Sequence, residues 1–128
     1  MKKPKMGVAL KKILIVEDDQ LSLELLVQLL DGYEVLTATD GSVGLQTVRE
    51  NNPDLVLLDI SLPIMDGYEV AKRIKNDSEI SKTVIIGISS RAMKDDIEKA
   101  ICSGFDDYLT KPLEEDKLYE KLHIYLNE

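Results

Sequence analysis

The sequence lacks the features that mark exported and membrane-spanning proteins. Its 128 residues include a single cysteine, which cannot form an internal disulfide. A membrane span needs an apolar run of about 18 residues, and the sequence contains no such run. Behind the basic start at residues 1–5, the apolar stretch 7–10 is too short for an export signal. We therefore expect no membrane partner and a reducing, cytoplasmic setting.

Basic residues are scarce relative to acidic ones. The chain has 16 Lys and Arg against 24 Asp and Glu, which gives a formal net charge of -8. Such a chain would repel a phosphate backbone, and no Lys/Arg-rich helix remains to read base edges, so we predict no direct nucleic-acid partner. With 44% hydrophobic residues, the chain can still bury the core of one domain.

Strand and helix patterns alternate from residue 12 onward. Short apolar runs, typical of strands covered on both faces, are separated by segments whose apolar residues recur at helical spacing. The predicted strands are 13–16, 34–38, 55–59, 84–89 and 107–110, and the predicted helices are 21–30, 42–50, 67–76, 94–103 and 114–126. Residues 1–11 show no periodicity, and we predict that they form a flexible tail before a single domain of residues 12–128.

This alternation predicts an α/β fold with a parallel sheet, because right-handed crossovers place helices on both of its faces. The first, third and fourth strands are the most apolar, so we predict that they lie in the centre and that the second and fifth strands form the edges. In an open sheet of this kind, ligands bind at the carboxyl ends of the strands. The residues that follow each strand are therefore the candidates for a functional site.

Polar residues stand at these strand ends. The first strand runs into Glu17-Asp18-Asp19, the third ends at Asp59, the fourth ends at Ser89, and Lys111 follows the fifth. Crowded carboxylates raise the cost of ionising one another, which suggests a bound cation, and oxygen ligands without His or Cys favour Mg²⁺. A carboxylate nucleophile at Asp59, with Mg²⁺, a hydroxyl and a lysine, suits phosphoryl transfer. Each residue alone has a commoner structural role, so the hypothesis depends on their ordered coincidence.

The order and spacing of these motifs resemble the receiver domain of two-component response regulators. The resemblance covers about residues 12–127 and rests on the segments Ile13 to Asp19, Asp54 to Gly67, Ile88 to Ser90 and Asp107 to Pro112. It implies a flavodoxin-like (βα)5 three-layer fold whose five parallel strands have the order 2-1-3-4-5. Because no output domain follows the last helix, the chain resembles a stand-alone receiver.

The resemblance also implies a role for each residue of the site. Asp59 matches the aspartate that is both the phosphoacceptor and a metal ligand in the family. Asp18 matches a direct Mg²⁺ ligand, Glu17 matches a carboxylate that usually acts through a metal-bound water, and Ser61 supplies a backbone carbonyl to the metal. Lys111 matches the lysine that neutralises charge on the phosphoryl oxygens, and its bond to Pro112 is typically cis in relatives.

The family's mode of signalling is implied as well. A histidine kinase or a histidine phosphotransfer protein gives its phosphoryl group to the aspartate, so we expect a signalling domain and not an enzyme. Ser89 and Tyr108 match the switch hydroxyl and the switch aromatic. Ser89 would move toward the phosphate and Tyr108 would turn inward, which would remodel the face of the fourth helix, fifth strand and fifth helix for a downstream partner or a phosphorelay.

Two alternatives differ in what the site would do. A haloacid-dehalogenase-like phosphatase also uses an Asp nucleophile with Mg²⁺, but that family has a second Asp two residues later, where this chain has Ser61. A pseudo-receiver, which binds partners without phosphorylation, remains the open alternative. Against it stands the complete set of Glu17, Asp18, Asp59, Ser89 and Lys111, because a degenerate domain would be expected to have lost at least one.

Overall fold

The computed structural model describes residues 10–91 and 93–126, and five strands alternate with five helices through them. The elements are β1 (Lys12–Val16), α1 (Gln20–Leu29), β2 (Glu34–Ala38), α2 (Gly41–Asn51), β3 (Leu55–Asp59), α3 (Gly67–Lys75), β4 (Val84–Ser89), α4 (Lys94–Ser103), β5 (Asp107–Thr110) and α5 (Glu115–Leu126). Every pairing is parallel and the strand order is β2-β1-β3-β4-β5, so the predicted fold class and the predicted central strands are confirmed. Most of the predicted tail falls on residues 1–9, outside the described residues, and its boundary with the domain stays a prediction.

The two faces of the sheet carry separate cores because side chains alternate along each strand. On one face, Leu14, Val56 and Leu58 pack beneath α2, α3 and α4, and on the other face Ile13 and Leu57 pack beneath α1 and α5. These side chains are 0% exposed. Helices thus cover both faces of the central strands, which explains why those strands are continuous apolar runs in the sequence.

Aspartates cap three of the helices. Asp19, Asp40 and Asp66 precede α1, α2 and α3, and each side chain accepts a hydrogen bond from the backbone N–H three residues further on, at 2.8 to 3.0 Å. Such caps satisfy amide groups that have no partner inside the helix. By contrast, α4 begins after Met93, and within the described part of the chain no side chain caps its first turn.

A lysine ties together the amino ends of β4 and β5, opposite the predicted site. Lys75, the last residue of α3, donates to the Ser81 carbonyl at 3.3 Å, the Thr83 carbonyl at 2.7 Å and the Asp106 carboxylate at 3.2 Å. The carboxyl end of α4 rests on the same lysine, because a Cβ on Gly104 would lie 2.6 Å from Lys75 Cγ. Gly104 also has a φ of 109°, which only glycine adopts without strain.

Candidate functional site

Four of the predicted side chains meet at the carboxyl edge of the sheet. Glu17 directly follows β1, Asp59 ends β3 and Ser89 ends β4, and these side chains are buried, with exposures of 2%, 5% and 5%. Lys111 follows β5, and its backbone N–H donates to the Ser89 carbonyl at 2.9 Å. The parallel strands therefore bring together residues that lie far apart in the sequence, as the strand-end argument predicts.

Three carboxylates form a compact acidic cluster at this edge. One oxygen from each of Glu17, Asp18 and Asp59 lies within 4.8 Å of the other two, and Asp18 is exposed. Within the described residues, Glu17 Oε2 is buried and has no hydrogen-bond partner. A buried carboxylate oxygen without a partner is costly, and a cation would relieve that cost. An all-oxygen donor set of this kind fits Mg²⁺.

Lys111 lies between two of these carboxylates. Its ammonium donates to Glu17 Oε1 at 2.7 Å and to Asp59 Oδ2 at 3.0 Å, while 28% of its side chain stays exposed. Burial and the nearby Asp59 carboxylate raise the pKa of Glu17 to about 7, although Lys111 acts in the opposite direction. Burial disfavours the charge on Lys111, yet its hydrogen bonds to both carboxylates outweigh this and raise its pKa, so the lysine stays protonated.

The loop between β3 and α3 folds closely over the end of β3. The Ser61 backbone N–H donates to Asp59 Oδ1 at 2.9 Å, which fixes the orientation of the carboxylate. Two glycines allow this fold, since a Cβ on Gly67 would lie 2.6 Å from the Asp59 carbonyl oxygen and one on Gly41 would lie 1.8 Å from the Met65 carbonyl oxygen. The metal-binding role of the Ser61 carbonyl stays a prediction.

The backbone of Arg91 lies between the two predicted switch residues. Its N–H donates to Ser89 Oγ at 3.0 Å, and its carbonyl accepts a hydrogen bond from the Tyr108 hydroxyl. The Tyr108 ring is half-buried against the core beneath α2, α3 and α4. Sequence reasoning missed this connection because it runs through backbone atoms, which every residue carries.

An apolar groove opens directly beside the acidic cluster. Its volume is about 450 Å³, and its walls include Leu25 and Leu26 of α1, Pro112 and Leu113 after β5, and Lys111. Leu25 is 47% exposed. The polar site is thus bordered by a surface that could receive an apolar partner.

Comparison with known proteins identifies the family. Residues 13–123 match the sequence model of the response regulator receiver domain. The chain belongs to the response regulator receiver family. Receiver domains are signalling domains of two-component systems and bind Mg²⁺ at an acidic pocket, so the family predicted from the motifs is confirmed. No helix in the described ranges of this receiver domain is long and apolar enough to cross a membrane.

Individual relatives agree with this assignment. The polar-differentiation response regulator DivK of Brucella ovis is 36% identical to this receiver domain over 120 residues, which span 92% of this chain and 98% of DivK. The receiver domain of the sensor histidine kinase PA1611 from Pseudomonas aeruginosa has a TM-score of 0.87 at 28% identity, covers 94% of this chain and 100% of its own, and has a magnesium ion in its active site cleft. The chemotaxis protein CheY4 of Vibrio cholerae has a TM-score of 0.85 at 26% identity and covers 91% of this chain and 99% of its own.

Proposed function

We propose that this receiver domain accepts a phosphoryl group on Asp59, at a site that holds Mg²⁺, from a histidine kinase or a histidine phosphotransfer protein. The contact set of Lys111 supports the proposal most directly. Its ammonium lies 3.0 Å from Asp59 Oδ2 and 2.7 Å from Glu17 Oε1, at the carboxylate that would become phosphorylated. A fixed positive charge at the reacting carboxylate is what phosphoryl transfer requires.

Glu17, Asp18, Asp59 and the Ser61 carbonyl would hold the Mg²⁺. When bound, the ion neutralises negative charge on the phosphoryl oxygens. The orphaned Glu17 Oε2 and the raised pKa of Glu17 support this assignment, since both reflect a carboxylate that is buried without enough positive charge around it.

The remaining side chains would orient the reaction. A bond forms between Asp59 and phosphorus as the phosphorus–nitrogen bond of the donor histidine breaks, and the imidazole leaves with the electron pair and takes up a proton. Lys111 would neutralise charge on a phosphoryl oxygen. The Ser89 oxygen accepts from the Arg91 N–H, so the hydroxyl hydrogen is available to donate to another phosphoryl oxygen.

The donor would dock on the apolar groove. Its phosphohistidine must reach Asp59 in line with the breaking bond, so the donor has to cover the surface next to the acidic cluster. The groove between Leu25 and Leu113 adjoins Lys111 at that position. An apolar helix face beside the phosphohistidine fits it, because burial of exposed leucine would stabilise the complex.

The response would be read on the face of α4, β5 and α5. We propose that phosphorylation shifts Ser89, and that the Arg91 backbone passes this shift to α4, so that a downstream protein binds or receives the phosphate. The net charge of -8 supports a protein partner over nucleic acid. We propose that the domain comprises residues 12–128, preceded by a flexible tail of residues 1–11, and acts in the cytoplasm as a signalling component, not as an enzyme.

The test is phosphorylation by acetyl phosphate with Mg²⁺, followed by intact mass. We expect the native chain to gain one phosphoryl group and Asp59→Asn to gain none. Asp66→Asn is the matched control, because it removes a carboxylate from the same loop while asparagine can still cap α3. No gain in the native chain would contradict the proposal and favour the pseudo-receiver that binds partners without phosphorylation.

A further inference from the structure

Gly87 in β4 leaves a space that two aromatic rings fill. In the sheet, Gly87 pairs with Tyr108 of β5 on one side and with Leu58 of β3 on the other, so all three face the same core. A Cβ on Gly87 would lie 2.9 Å from Phe105 Cδ1 and 3.4 Å from Tyr108 Cδ2. We call this space, bounded by Phe105 and Tyr108 above Gly87, the Gly87 socket.

One wall of the Gly87 socket is firmly held. Phe105 is 4% exposed, and its backbone N–H donates to the Ala100 carbonyl at 3.1 Å. The Phe105 and Tyr68 rings contact each other edge to face, with 6.3 Å between their centroids and 85° between their planes. Lys99 Nζ lies 4.3 Å from the centroid of the Tyr68 ring. These contacts fix Phe105 in place.

The Tyr108 ring is held at two points. Its edge contacts the Gly87 socket, and its hydroxyl donates to the Arg91 carbonyl. If the ring turned outward, the hydrogen bond would break and the socket would lose its filling, because Gly87 has no side chain to replace it. Packing therefore favours the inward ring independently of events at the carboxylates.

The described residues that follow β4 are more exposed than the Tyr108 ring. Arg91 and Met93 are exposed, the latter at 72%, and in the described chain no side chain caps the start of α4. The Arg91 N–H donates to Ser89 Oγ, so any movement of the Ser89 side chain acts first on this segment. The easier movement is therefore in the backbone around Arg91.

We propose that Gly87 and Phe105 are positioning residues that keep Tyr108 inward whether or not Asp59 is phosphorylated. The signal then passes from Ser89 to α4 through the backbone at Arg91, while packing in the Gly87 socket keeps the Tyr108 ring inward. The second part rests on the proposed function, whereas the inward position of Tyr108 does not. This differs from a switch in which the aromatic ring itself turns inward.

The native chain provides the decisive experiment. Tyrosine is replaced throughout by 3-fluorotyrosine, and the ¹⁹F resonance of Tyr108 is assigned with Tyr108→Phe. The shift of this resonance between H₂O and D₂O reports solvent exposure, with the guanidinium-unfolded chain as the exposed reference. Tyr119, whose hydroxyl donates to the Leu29 carbonyl at 3.0 Å, serves as the internal control.

We expect a solvent isotope shift for Tyr108 that is well below the unfolded value without phosphodonor and unchanged after Mg²⁺ and acetyl phosphate. A shift near the unfolded value that falls on phosphorylation would overturn the inference. The measurement without phosphodonor stands even where intact mass shows no phosphorylation, so failure of the proposed function and failure of this inference remain distinguishable.

Variants of the socket test the positioning roles. Phe105→Leu removes the ring that forms the wall, and Gly87→Ala adds a methyl group against Phe105; each should raise the isotope shift of Tyr108 and leave that of Tyr119 unchanged. In the double variant, the added methyl fills part of the space left by the ring, so the Tyr108 shift should move back toward the native value. Folded single variants with a native Tyr108 shift would overturn the positioning roles. The native-chain measurement decides the inward position even where a variant does not fold.

Discussion

Replacement of Lys111 with methionine should destabilise the domain, and Mg²⁺ should restore most of the loss. Methionine keeps an unbranched stem but removes the ammonium that lies 2.7 Å from Glu17 and 3.0 Å from Asp59. Two buried carboxylates then lack their cation. Removal of one partner from a fully buried ion pair costs about 3–5 kcal/mol. Because 28% of the Lys111 side chain is exposed, we expect a loss of about 2–3 kcal/mol near neutral pH.

This loss should depend on pH in a defined direction. Burial and Asp59 raise the pKa of Glu17 from 4.5 to about 7, so the folded protein takes up a proton that the unfolded chain releases. The penalty for ionised Glu17 is absent below the unfolded pKa and grows as pH rises through the folded pKa. The destabilisation by Lys111→Met should therefore be smaller near pH 5 than near pH 8.

Urea unfolding followed by circular dichroism measures the effect, with either chelator or Mg²⁺ present, since the chain has no tryptophan. Glu17→Gln is the matched variant, because it removes one of the crowded charges at nearly constant shape. The double variant should lose less stability than Lys111→Met alone, which a double-mutant cycle quantifies. Equal stability of Lys111→Met and the native chain in chelator near pH 8 would refute the reasoning, as would a loss that Mg²⁺ leaves unchanged.

Three further predictions concern the metal, the loop and a surface carboxylate. Mg²⁺ at about ten times its Kd should stabilise the native chain by about 1.4 kcal/mol and should stabilise Asp18→Ala much less. Melting temperatures with and without Mg²⁺ measure this, and a melting temperature of the native chain that Mg²⁺ does not change would contradict the metal site. Gly41→Ala should cost about 2 kcal/mol or more in urea unfolding, because its Cβ would lie 1.8 Å from the Met65 carbonyl oxygen; native stability would contradict that packing. Burial opposes ionisation of Asp107, but the hydrogen bonds from Lys121, the Tyr108 backbone N–H and the Tyr125 hydroxyl together outweigh it and lower the pKa. Asp107→Asn should therefore weaken the fall of stability with acid below about pH 4 in urea titrations, and an unchanged acid profile would contradict this.

The fold could be predicted closely where burial and strand ends coincide. The predicted strands 55–59, 84–89 and 107–110 match β3, β4 and β5 at both ends, because apolar runs stop at polar residues there. The first helix was predicted at 21–30 but spans Gln20–Leu29. Its start is set by Asp19, whose side chain caps the Ser22 N–H, and a cap shifts the helix without changing the apolar pattern.

The site could be predicted as a set of side chains but not as a set of contacts. The meeting of Glu17, Asp59 and Ser89 follows from parallel strand ends alone. The positions of Gly41 and Arg91 could not be predicted in this way, because one contributes the absence of a side chain and the other contributes backbone atoms. Neither leaves a pattern of residue types in the sequence.

The two ends of α4 are held differently, because Gly104 packs against Lys75 at the carboxyl end only. Its carboxyl end is anchored beside a lysine that also binds the amino ends of β4 and β5, whereas its amino end, after Met93, is uncapped by any described side chain. A displacement that starts at Ser89 would therefore rotate α4 about its anchored carboxyl end at Gly104. The largest displacement would occur at Met93 and the smallest at Ser103, so a partner that distinguishes the two signalling states has to contact the first turn of α4.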